Sequence, residues 1–206
     1  MTTGSLLNFT VPLGNTGQSA SSQGLLMPKL QYRFRVSFLN FGAGGQTTEL
    51  TKQVIKCGRP SVKFDSKTLE VYNSKIYYAG KYTWETIKID IRDDAQGNVS
   101  KLIGGQVQKT FDFFEQASAA SGIDYKFQTN LDVLDGGNGT ADPVVLEQWQ
   151  MYGCWITSSA YGDHDYAISD PLVISLVIQF DNALQIPLGT GIGSAILRTA
   201  GSIATG

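Results

Sequence analysis

The chain contains one histidine, His164, which lies in the segment Asp163–His164–Asp165. An imidazole beside carboxylates is found in catalytic triads and in many metal sites, because imidazole accepts protons and ligates metals near neutral pH. The sequence offers no second histidine and no cysteine pair nearby. Aspartate and glycine favour turns, and the segment therefore predicts a solvated turn between strands and not a catalytic centre.

Two further segments contain residue types that bind phosphate or calcium. The segment Gly189–Gly193 is similar to a glycine-rich phosphate loop, but such a loop needs a preceding strand, a following helix and a βαβ unit. A group of Asp and Asn residues could line a calcium loop, yet it lacks the glutamate of the twelfth position. The sequence thus predicts no enzymatic role, no cofactor and no metal ion. The acidic group consists of Asp132, Asp135, Asn138 and Asp142.

The overall charge is small and slightly negative. The 206 residues carry a formal net charge of -2, and 17% of them are charged. A soluble domain usually has about 25% charged residues. A surface poor in charge indicates contact with other subunits, although a β-rich fold alone could explain it. Affinity for phosphates comes from clustered Lys and Arg. The composition therefore does not predict a protein that grips nucleic acid, and it is compatible with a surface past which DNA slides.

The chain divides into a central domain and two ends of low complexity. Residues 1–28 are rich in Ser, Thr, Gly, Gln and Asn and predict a flexible arm. Residues 29–182 predict one domain, and residues 183–206 predict a low-complexity tail. No apolar run reaches the length of about 20 residues that a membrane-spanning helix needs. The two cysteines, Cys57 and Cys154, predict free thiols in a reducing cytoplasm.

Apolar and polar residues alternate over several segments, which is the pattern of strands with one buried face. The final segment, Leu172–Phe180, is apolar at nearly every position and predicts a strand covered on both faces. The sequence therefore predicts a mainly β protein, with an antiparallel β-sandwich or barrel-like domain and one α-helix. The predicted strands are Leu30–Phe38, Leu50–Cys57, Thr83–Arg92, Val144–Ile156 and Leu172–Phe180.

The predicted helix follows Asn98, a residue type suited to the N-cap. Apolar residues recur there with a period near 3.6, which gives one apolar stripe. The pair Gly104–Gly105 weakens the first turns by about 1 kcal/mol for each glycine, so the helix is expected to begin near Gly105. The stripe comprises Val99, Leu102, Ile103, Val107, Phe111 and Phe114.

The segment Ser61–Gly80 mixes charged and apolar residues over twenty positions. Asn73 and Ser74 are residue types that form bends. We predict an extended hairpin or loop that leaves the body of the domain.

Two segments are similar to those of a known family. The first is YYAGKYTWE at Tyr77–Glu85, which leads into a strand, an Asp-Asp turn and a helix with FDFF at Phe111–Phe114. The second is YGCWI at Tyr152–Ile156, which precedes a polar loop and the strand Leu172–Asp181. In order and spacing, these segments resemble the tail tube protein family of contractile-tailed bacteriophages.

The resemblance covers about Leu30 to Asp181 and implies a structural role in a virion tail. Subunits of the family form hexameric rings in which inner strands join into one ring-wide β-barrel. The rings stack into a hollow tube, and a contracting sheath drives the tube through the host envelope. The implied partners are further copies of the chain, the tail sheath protein, and the baseplate and neck tube proteins. Phage DNA passes through the lumen without specific binding, and the tail is assembled in the host cytoplasm.

The resemblance also implies two sets of interface residues. The hairpin of each subunit reaches the next ring, and its predicted contact residues are Lys63, Phe64, Asp65, Lys67, Glu70, Tyr72, Lys75 and Tyr77. Since DNA must travel through the lumen, we expect a polar wall that is neutral to acidic, with no net positive ring. The predicted lumen residues are Glu147, Gln148, Gln150, Ser175 and Gln179, whereas Lys88, Arg92, Arg33 and Arg35 are expected to be paired with carboxylates or turned away. The alternative is that arginines line the pore and that nearby acidic residues cancel their charge.

Two alternatives differ from the phage tail tube. One is a tube protein of the baseplate or neck, or the related tube of a bacterial contractile injection system. The other is a soluble β-barrel that binds a small ligand in a closed pocket. The protruding hairpin and the strand covered on both faces favour assembly over the ligand-binding barrel.

Overall fold

The computed structural model describes residues 29–42, 47–135 and 143–186. The chain divides into two compact units, residues 1–33 and residues 34–206. In the first unit, residues 29–33 include a turn in which the Arg33 amide donates to the Leu30 carbonyl over 3.3 Å. All the helices and strands below belong to the second unit.

The described residues of the second unit form eleven strands and three helices. The described residues are therefore mainly β structure, as the sequence predicts. In chain order the elements are β1 (Phe34–Leu39), α1 (Thr48–Gln53), β2 (Val54–Cys57), β3 (Val62–Val71), β4 (Ser74–Trp84), β5 (Ile87–Arg92), α2 (Asn98–Thr110), β6 (Phe111–Asp112), β7 (Ala117–Ser118), α3 (Gly122–Tyr125), β8 (Phe127–Leu134), β9 (Val145–Ala160), β10 (Val173–Gln179) and β11 (Asn182–Ile186).

The main sheet has the strand order β1-β8-β9-β10-β5-β2, with β11 also paired to β9, and every pairing is antiparallel. The sixteen-residue strand β9 is shared between two halves. We call β1, β8, β11 and the first part of β9 the first half-sheet, and β10, β5, β2 and the last part of β9 the second half-sheet. β1 and β2 end the pairing order without pairing to each other, so this sheet is not a closed barrel.

The inner faces of both half-sheets share one hydrophobic core. Strand β5 shows how the sequence produces it, because Ile87, Ile89 and Ile91 are buried while Lys88 and Arg92 are exposed on the opposite face. Side chains alternate between the two faces of a strand, so a period of two in the sequence becomes one apolar inner face. Strands β1, β8, β9 and β10 and helices α1 and α2 contribute to the same core.

Helix α2 begins at Asn98, so the expected start near Gly105 is wrong. The amide of Val99 donates to Asp94 Oδ1 over 3.0 Å, and the side chains of Val99 and Ile103 are buried. Burial of an aliphatic side chain contributes about 1.5–3 kcal/mol, which exceeds the cost of the two glycines. The helix ends at Thr110, before the two phenylalanines at the end of the predicted stripe.

Other differences from the predicted elements lie at short segments. The predicted strand Leu50–Cys57 is instead helix α1 followed by β2, and α3 is a further short helix, so the expectation of one helix is wrong. The predicted strand Thr83–Arg92 is interrupted before β5, and the first strand begins at Phe34, not at Leu30. Strand β11 continues past residue 182 to Ile186, so the ordered domain extends beyond its predicted end.

The hairpin predicted at Ser61–Gly80 is confirmed as the antiparallel pair β3 and β4. The two strands form a sheet of their own, separate from the main sheet. Every residue from 63 to 79 is exposed. The tip lies at Tyr72, which has a φ of 47° and is 99% exposed.

Candidate assembly interface

The hairpin carries two apolar patches. Near the body, Phe64 pairs with Tyr82, and their rings are 6.4 Å apart. Nearer the tip, Leu69 pairs with Ile76, and these side chains are 54% and 52% exposed. Residues paired across two strands project from the same face, so each patch includes residues from both strands. We define the root patch as Val62, Phe64, Tyr82 and Trp84, and the tip patch as Leu69, Val71, Ile76 and Tyr78.

The two patches lie on opposite faces of the hairpin because of a bulge. On β3, Phe64 and Leu69 are five positions apart and therefore project from opposite faces. On β4, Tyr82 and Tyr78 would share a face, but the register shifts between Phe64 and Ser66. The extra residue on β4 moves Tyr78 to the face of Leu69. The hairpin consequently presents apolar surface in two directions.

Glycine is required at this bulge. A Cβ on Gly80 would lie 3.1 Å from both the Cβ and the carbonyl oxygen of Asp65. Such a contact is tighter than ordinary van der Waals packing, so a larger residue would push the two strands apart. Gly80 therefore maintains the close strand pairing that sets the opposite directions of the two patches.

Near the tip, the face opposite the tip patch is mainly polar. Lys75 and Glu70 form an ion pair of 2.8 Å, and Thr68 pairs with Tyr77 one step further from the tip. The aliphatic side chains of the tip thus lie on one face, and the large apolar side chain of the other face is Tyr77. A contiguous exposed apolar surface of this kind is typical of a protein interface.

The eight residues predicted to contact the next ring all lie on the hairpin and are exposed. Alternation places them on both faces: Lys63, Asp65 and Lys67 lie on the face of the tip patch, whereas Phe64, Glu70, Lys75 and Tyr77 lie on the other face, and Tyr72 lies at the turn. Their part in an inter-ring contact stays a prediction. The sequence prediction omitted the four tip-patch residues, since their common face depends on the register and on the bulge.

A second candidate surface is the outward face of the first half-sheet, which is polar and hydrogen-bonded from strand to strand. Arg35 Nη2 donates to Asp132 Oδ2 over 2.8 Å, and Gln148 Nε2 donates to Asp132 Oδ1 over 2.8 Å. Gln150 Nε2 donates to Gln148 Oε1 over 3.2 Å, and Gln150 Oε1 accepts from the Tyr152 hydroxyl over 2.6 Å. The charge of Arg35 is balanced by Asp132, as expected from the sequence.

The five predicted lumen residues do not share one surface. Gln148 and Gln150 lie on the outward face of the first half-sheet, whereas Ser175 and Gln179 lie on the second. Ser175 Oγ donates to Asp90 Oδ1 over 2.6 Å. Glu147 is 6% exposed and points into the domain. Its predicted position on the same polar wall as Gln148 and Gln150 is therefore wrong. Adjacent residues of a strand project from opposite faces.

The residues with potential chemistry are dispersed in the described part of the chain. His164 is exposed in the loop between β9 and β10. Residues 29–42, 47–135 and 143–186 contain no group of three or more His, Cys, Asp or Glu side chains placed to hold a metal. The segment Gly189–Gly193, together with Asn138 and Asp142, lies outside the described residues.

Both cysteines are free thiols. Burial raises the pKa of the Cys154 thiol to about 11 and that of the Cys57 thiol to about 12. The thiolate is the reactive form of cysteine, so neither side chain is a nucleophile at neutral pH. Among the described helices, none has the length and apolar character needed to cross a membrane.

The fold is similar to that of proteins from contractile injection systems. A chain of the cryo-EM structure of the anti-feeding prophage cap, the AFP tube terminating cap, superimposes with a TM-score of 0.58 at 12% identity, over 84% of this chain and 99% of that chain. A chain of the PVC sheath/tube terminator in the extended state gives 0.54 at 12% identity, over 80% and 100%. A chain of the PVC sheath-tube complex gives 0.53 at 14% identity, over 78% and 93%.

No protein-family profile matches the sequence, and no curated protein does. At these identities the comparisons show the fold alone. The chain therefore has a mainly antiparallel β fold shared with tube-related proteins of contractile injection systems.

Proposed function

We propose that the chain is a structural subunit of a tail tube, in which hexameric rings stack into a hollow channel inside a contractile sheath. The observation that carries this proposal is the hairpin of β3 and β4, which leaves the domain with apolar patches on both of its faces. An isolated two-stranded hairpin is marginally stable in water, and a partner that covers it would remove that weakness. The shared fold with tube-related proteins supports the same role.

In the proposed tube, the tip patch packs on a subunit of the next ring. Each of its four side chains is about half exposed, and burial of the remainder contributes about 1 kcal/mol for each side chain. A ring repeats this contact once for each subunit. Small contributions in one subunit therefore add up to a stable stack.

The phage-specific form of the proposal rests on the order of the segments that resemble the phage family. In this form a contracting sheath drives the tube through the host envelope, and the genome passes down the lumen. The partners would be the sheath protein and the tube proteins of the baseplate and neck, and the assembled protein would be part of the virion. The role would be structural and not enzymatic.

We place the outward face of the first half-sheet on the lumen in this proposal. Its Arg35–Asp132 pair is neutral, and its other polar side chains on β8 and β9 are amides and a tyrosine hydroxyl. The outward face of the second half-sheet carries Lys88, Asp90 and Arg92 from β5, which give a net positive charge. Each positive side chain would recur around the ring, and each phosphate contact would slow passing DNA.

A cryo-EM reconstruction of assembled tubes would test the lumen assignment, because it shows which half-sheet faces the axis. The substitution Gln150→Lys would then add a ring of positive charge to the lumen and slow DNA ejection, whereas Ser158→Lys on the second half-sheet would not. A tube with β5 and β10 facing the axis would overturn the assignment and leave the tube proposal intact.

The second candidate function is a terminal tube component. The likeness to the tube terminating cap and to the sheath/tube terminator favours it. A terminal component forms a single ring and does not polymerise alone. Electron microscopy of the purified protein would separate the two functions, since it would show long tubes in one case and rings of constant height in the other.

Deletion of residues 65–74 tests the stacking role of the hairpin. The shortened protein should fold, because these residues are exposed, and it should fail to form tubes. A sharper pair is Leu69→Asp, which places a charge in the tip patch, and Thr68→Asp, which places the same charge on the opposite face. We expect the first to abolish tubes and the second to have the smaller effect. Tubes of normal length from the deletion variant would sink the proposal.

A further inference from the structure

The segment that enters the hairpin is held by a buried carboxylate. Arg59 lies between β2 and β3, and its Nη2 is 3.0 Å from Glu147 Oε2. The side chain of Glu147 is 6% exposed, whereas that of Arg59 is 57% exposed. A surface guanidinium thus reaches a carboxylate inside the domain, two residues before Ser61 and the start of the hairpin.

Glu147 is itself fixed by one donor on its own strand and by one donor on another strand. Its Oε1 accepts hydrogen bonds from Trp149 Nε1 over 2.7 Å and from Gln185 Nε2 over 3.1 Å. These donors belong to β9 and β11. A carboxylate that accepts from several donors is held in one orientation, so Glu147 is a rigid point of attachment for Arg59.

The other strand of the hairpin has an attachment of its own. Trp84, the last residue of β4, donates from Nε1 to Asn182 Oδ1 over 3.2 Å, and its ring lies 5.5 Å from the ring of Phe180. Gln179 Nε2 donates to the Trp84 carbonyl over 3.3 Å. One attachment would act as a pivot, whereas one attachment on each side of the root prevents rotation about it.

We propose that Arg59 and Glu147 are positioning residues that, together with the Trp84 attachment, set the direction of the hairpin before any partner binds. The consequence for assembly rests on the proposed function, but the direction itself is a property of the single subunit. A ten-residue strand such as β3 is about 33 Å long. A rotation of about 10° at the root would therefore move the tip by about 6 Å, which exceeds the spacing of neighbouring strands.

A fixed direction lowers the cost of docking. Binding requires that the mobile parts of an interface be ordered, and preorganisation removes that requirement. The hairpin has no cover of its own from residue 63 to residue 79, so its order must come from the root. Loss of the Arg59–Glu147 pair should therefore weaken assembly even though neither residue belongs to the tip patch.

The direct test measures the spread of tip positions in the unassembled subunit. Spin labels at Asn73→Cys on the tip and Gln108→Cys on the exposed side of α2 would report the distance distribution by pulsed electron paramagnetic resonance. The native thiols are protonated and slow to label because burial raises their pKa. We expect a narrow distribution in the parent protein and at least a twofold broader one after Arg59→Ala.

The matched control is Arg35→Ala. Arg35 also pairs with a buried carboxylate, that of Asp132, at 2.8 Å, but this pair lies on the outward face of the first half-sheet and attaches to neither strand of the hairpin. This variant should leave the tip distribution unchanged, and Arg59→Lys should restore part of the narrow distribution. Glu147→Gln keeps the shape of the side chain and removes its charge, so it provides a second test if Arg59→Ala fails to fold. A distribution as narrow as that of the parent in Arg59→Ala and in Glu147→Gln would overturn the proposal.

The second readout is the protein concentration at which tubes form. We expect Arg59→Ala to raise it about tenfold, with Arg59→Lys intermediate. If the parent protein forms no tubes at all, the proposed function fails, and the distance distribution still decides whether Arg59 and Glu147 position the hairpin.

Discussion

Strands β5 and β4 both contain isoleucine, but in different surroundings. In β5, Ile89 alternates with charged residues and is fully buried in the core. In β4, Ile76 also lies in an apolar row but is 52% exposed. Alternation thus indicates that an apolar face exists, and it does not indicate what covers that face. In the body the cover is another part of the same chain, whereas the tip patch of the hairpin stays exposed and, in the proposed tube, is covered by a separate molecule.

The half-sheets and the hairpin also differ in the number of faces that carry apolar residues. The half-sheets turn one apolar face inward and one polar face outward. The hairpin turns apolar surface both ways, because the bulge at Gly80 reverses the side to which the residues of β4 project. A domain needs one buried face for its core, but a connecting arm with two apolar faces can be enclosed by two neighbours.

The largest effect is expected when isoleucine is replaced by alanine at two sites, Ile89 in the core and Ile76 in the tip patch. The comparison separates the stability of the subunit from its assembly. Ile89→Ala should destabilise the subunit by about 3 kcal/mol, because it leaves a cavity in the core. Ile76→Ala should change stability by less than about 0.5 kcal/mol and should reduce tube formation. Urea denaturation and electron microscopy measure the two properties. A loss of stability from Ile76→Ala equal to that from Ile89→Ala would remove the distinction between the regions.

The next largest difference in stability is expected between alanine substitutions at two glycines, Gly153 in the body and Gly80 in the hairpin. Gly153 has a φ of +66°, and a Cβ there would overlap the carboxylate of Asp181, which also pairs with Lys126 over 2.6 Å. Gly153→Ala should therefore cost about 2 kcal/mol. Gly80→Ala should leave the denaturation midpoint nearly unchanged, because it alters only the hairpin, while it weakens assembly. Equal midpoint shifts in the two variants would argue that the hairpin contributes to the cooperative fold.

A smaller effect concerns alkaline stability of the body. The pKa of Cys154 rises from 9.0 to about 11 on burial. Above pH 9 the unfolded chain therefore releases a proton that the folded chain retains, and stability falls by about 1.4 kcal/mol for each pH unit until the folded pKa is reached. Cys154→Ala should flatten this part of the curve. The difference in denaturation free energy between parent and variant, measured from pH 8 to pH 10.5, checks the slope, and parallel curves would contradict it.

The smallest effect is expected at the only histidine. His164 lies in an exposed loop between β9 and β10, apart from the hairpin and from the core. His164→Ala should change neither the denaturation midpoint nor the length of tubes. A thousandfold loss of infectivity with intact tubes would reopen the question of a chemical role.

The sequence predicted the long strands well because apolar residues recur along their whole length. The predicted strands Val144–Ile156 and Leu172–Phe180 correspond to β9 and β10 within a few residues. Strand β8 was not predicted, since Thr129 stands among the inward residues and interrupts the apolar row. Helix α1 was not predicted, because six residues with one buried side chain, Leu50, are too few to show the helical period of apolar residues.

The candidate site was predictable in position but not in detail. Mixed charge and length were enough to locate the hairpin. Its two patches depend on a register and a bulge that follow from the pairing of β3 with β4. Because Glu147 is charged, the sequence predicts it on the polar lumen wall together with Gln148 and Gln150. These glutamines lie one and three positions further along β9, so alternation places them on the opposite face of the strand. Its inward position became evident only from the donors Arg59, Trp149 and Gln185, which are distant in sequence.

The hairpin leaves the domain on one side, and this makes the proposed stack directional. A subunit that gives its hairpin to the next ring must receive another hairpin at a different surface, so the contact is head-to-tail and has no inherent end. The two extremities of such a polymer are chemically unlike: one displays uncovered arms and the other displays empty docking surfaces. Growth could therefore be started at one extremity and arrested at the other by different proteins, and the length of the filament would be set by that arrest and not by the subunit.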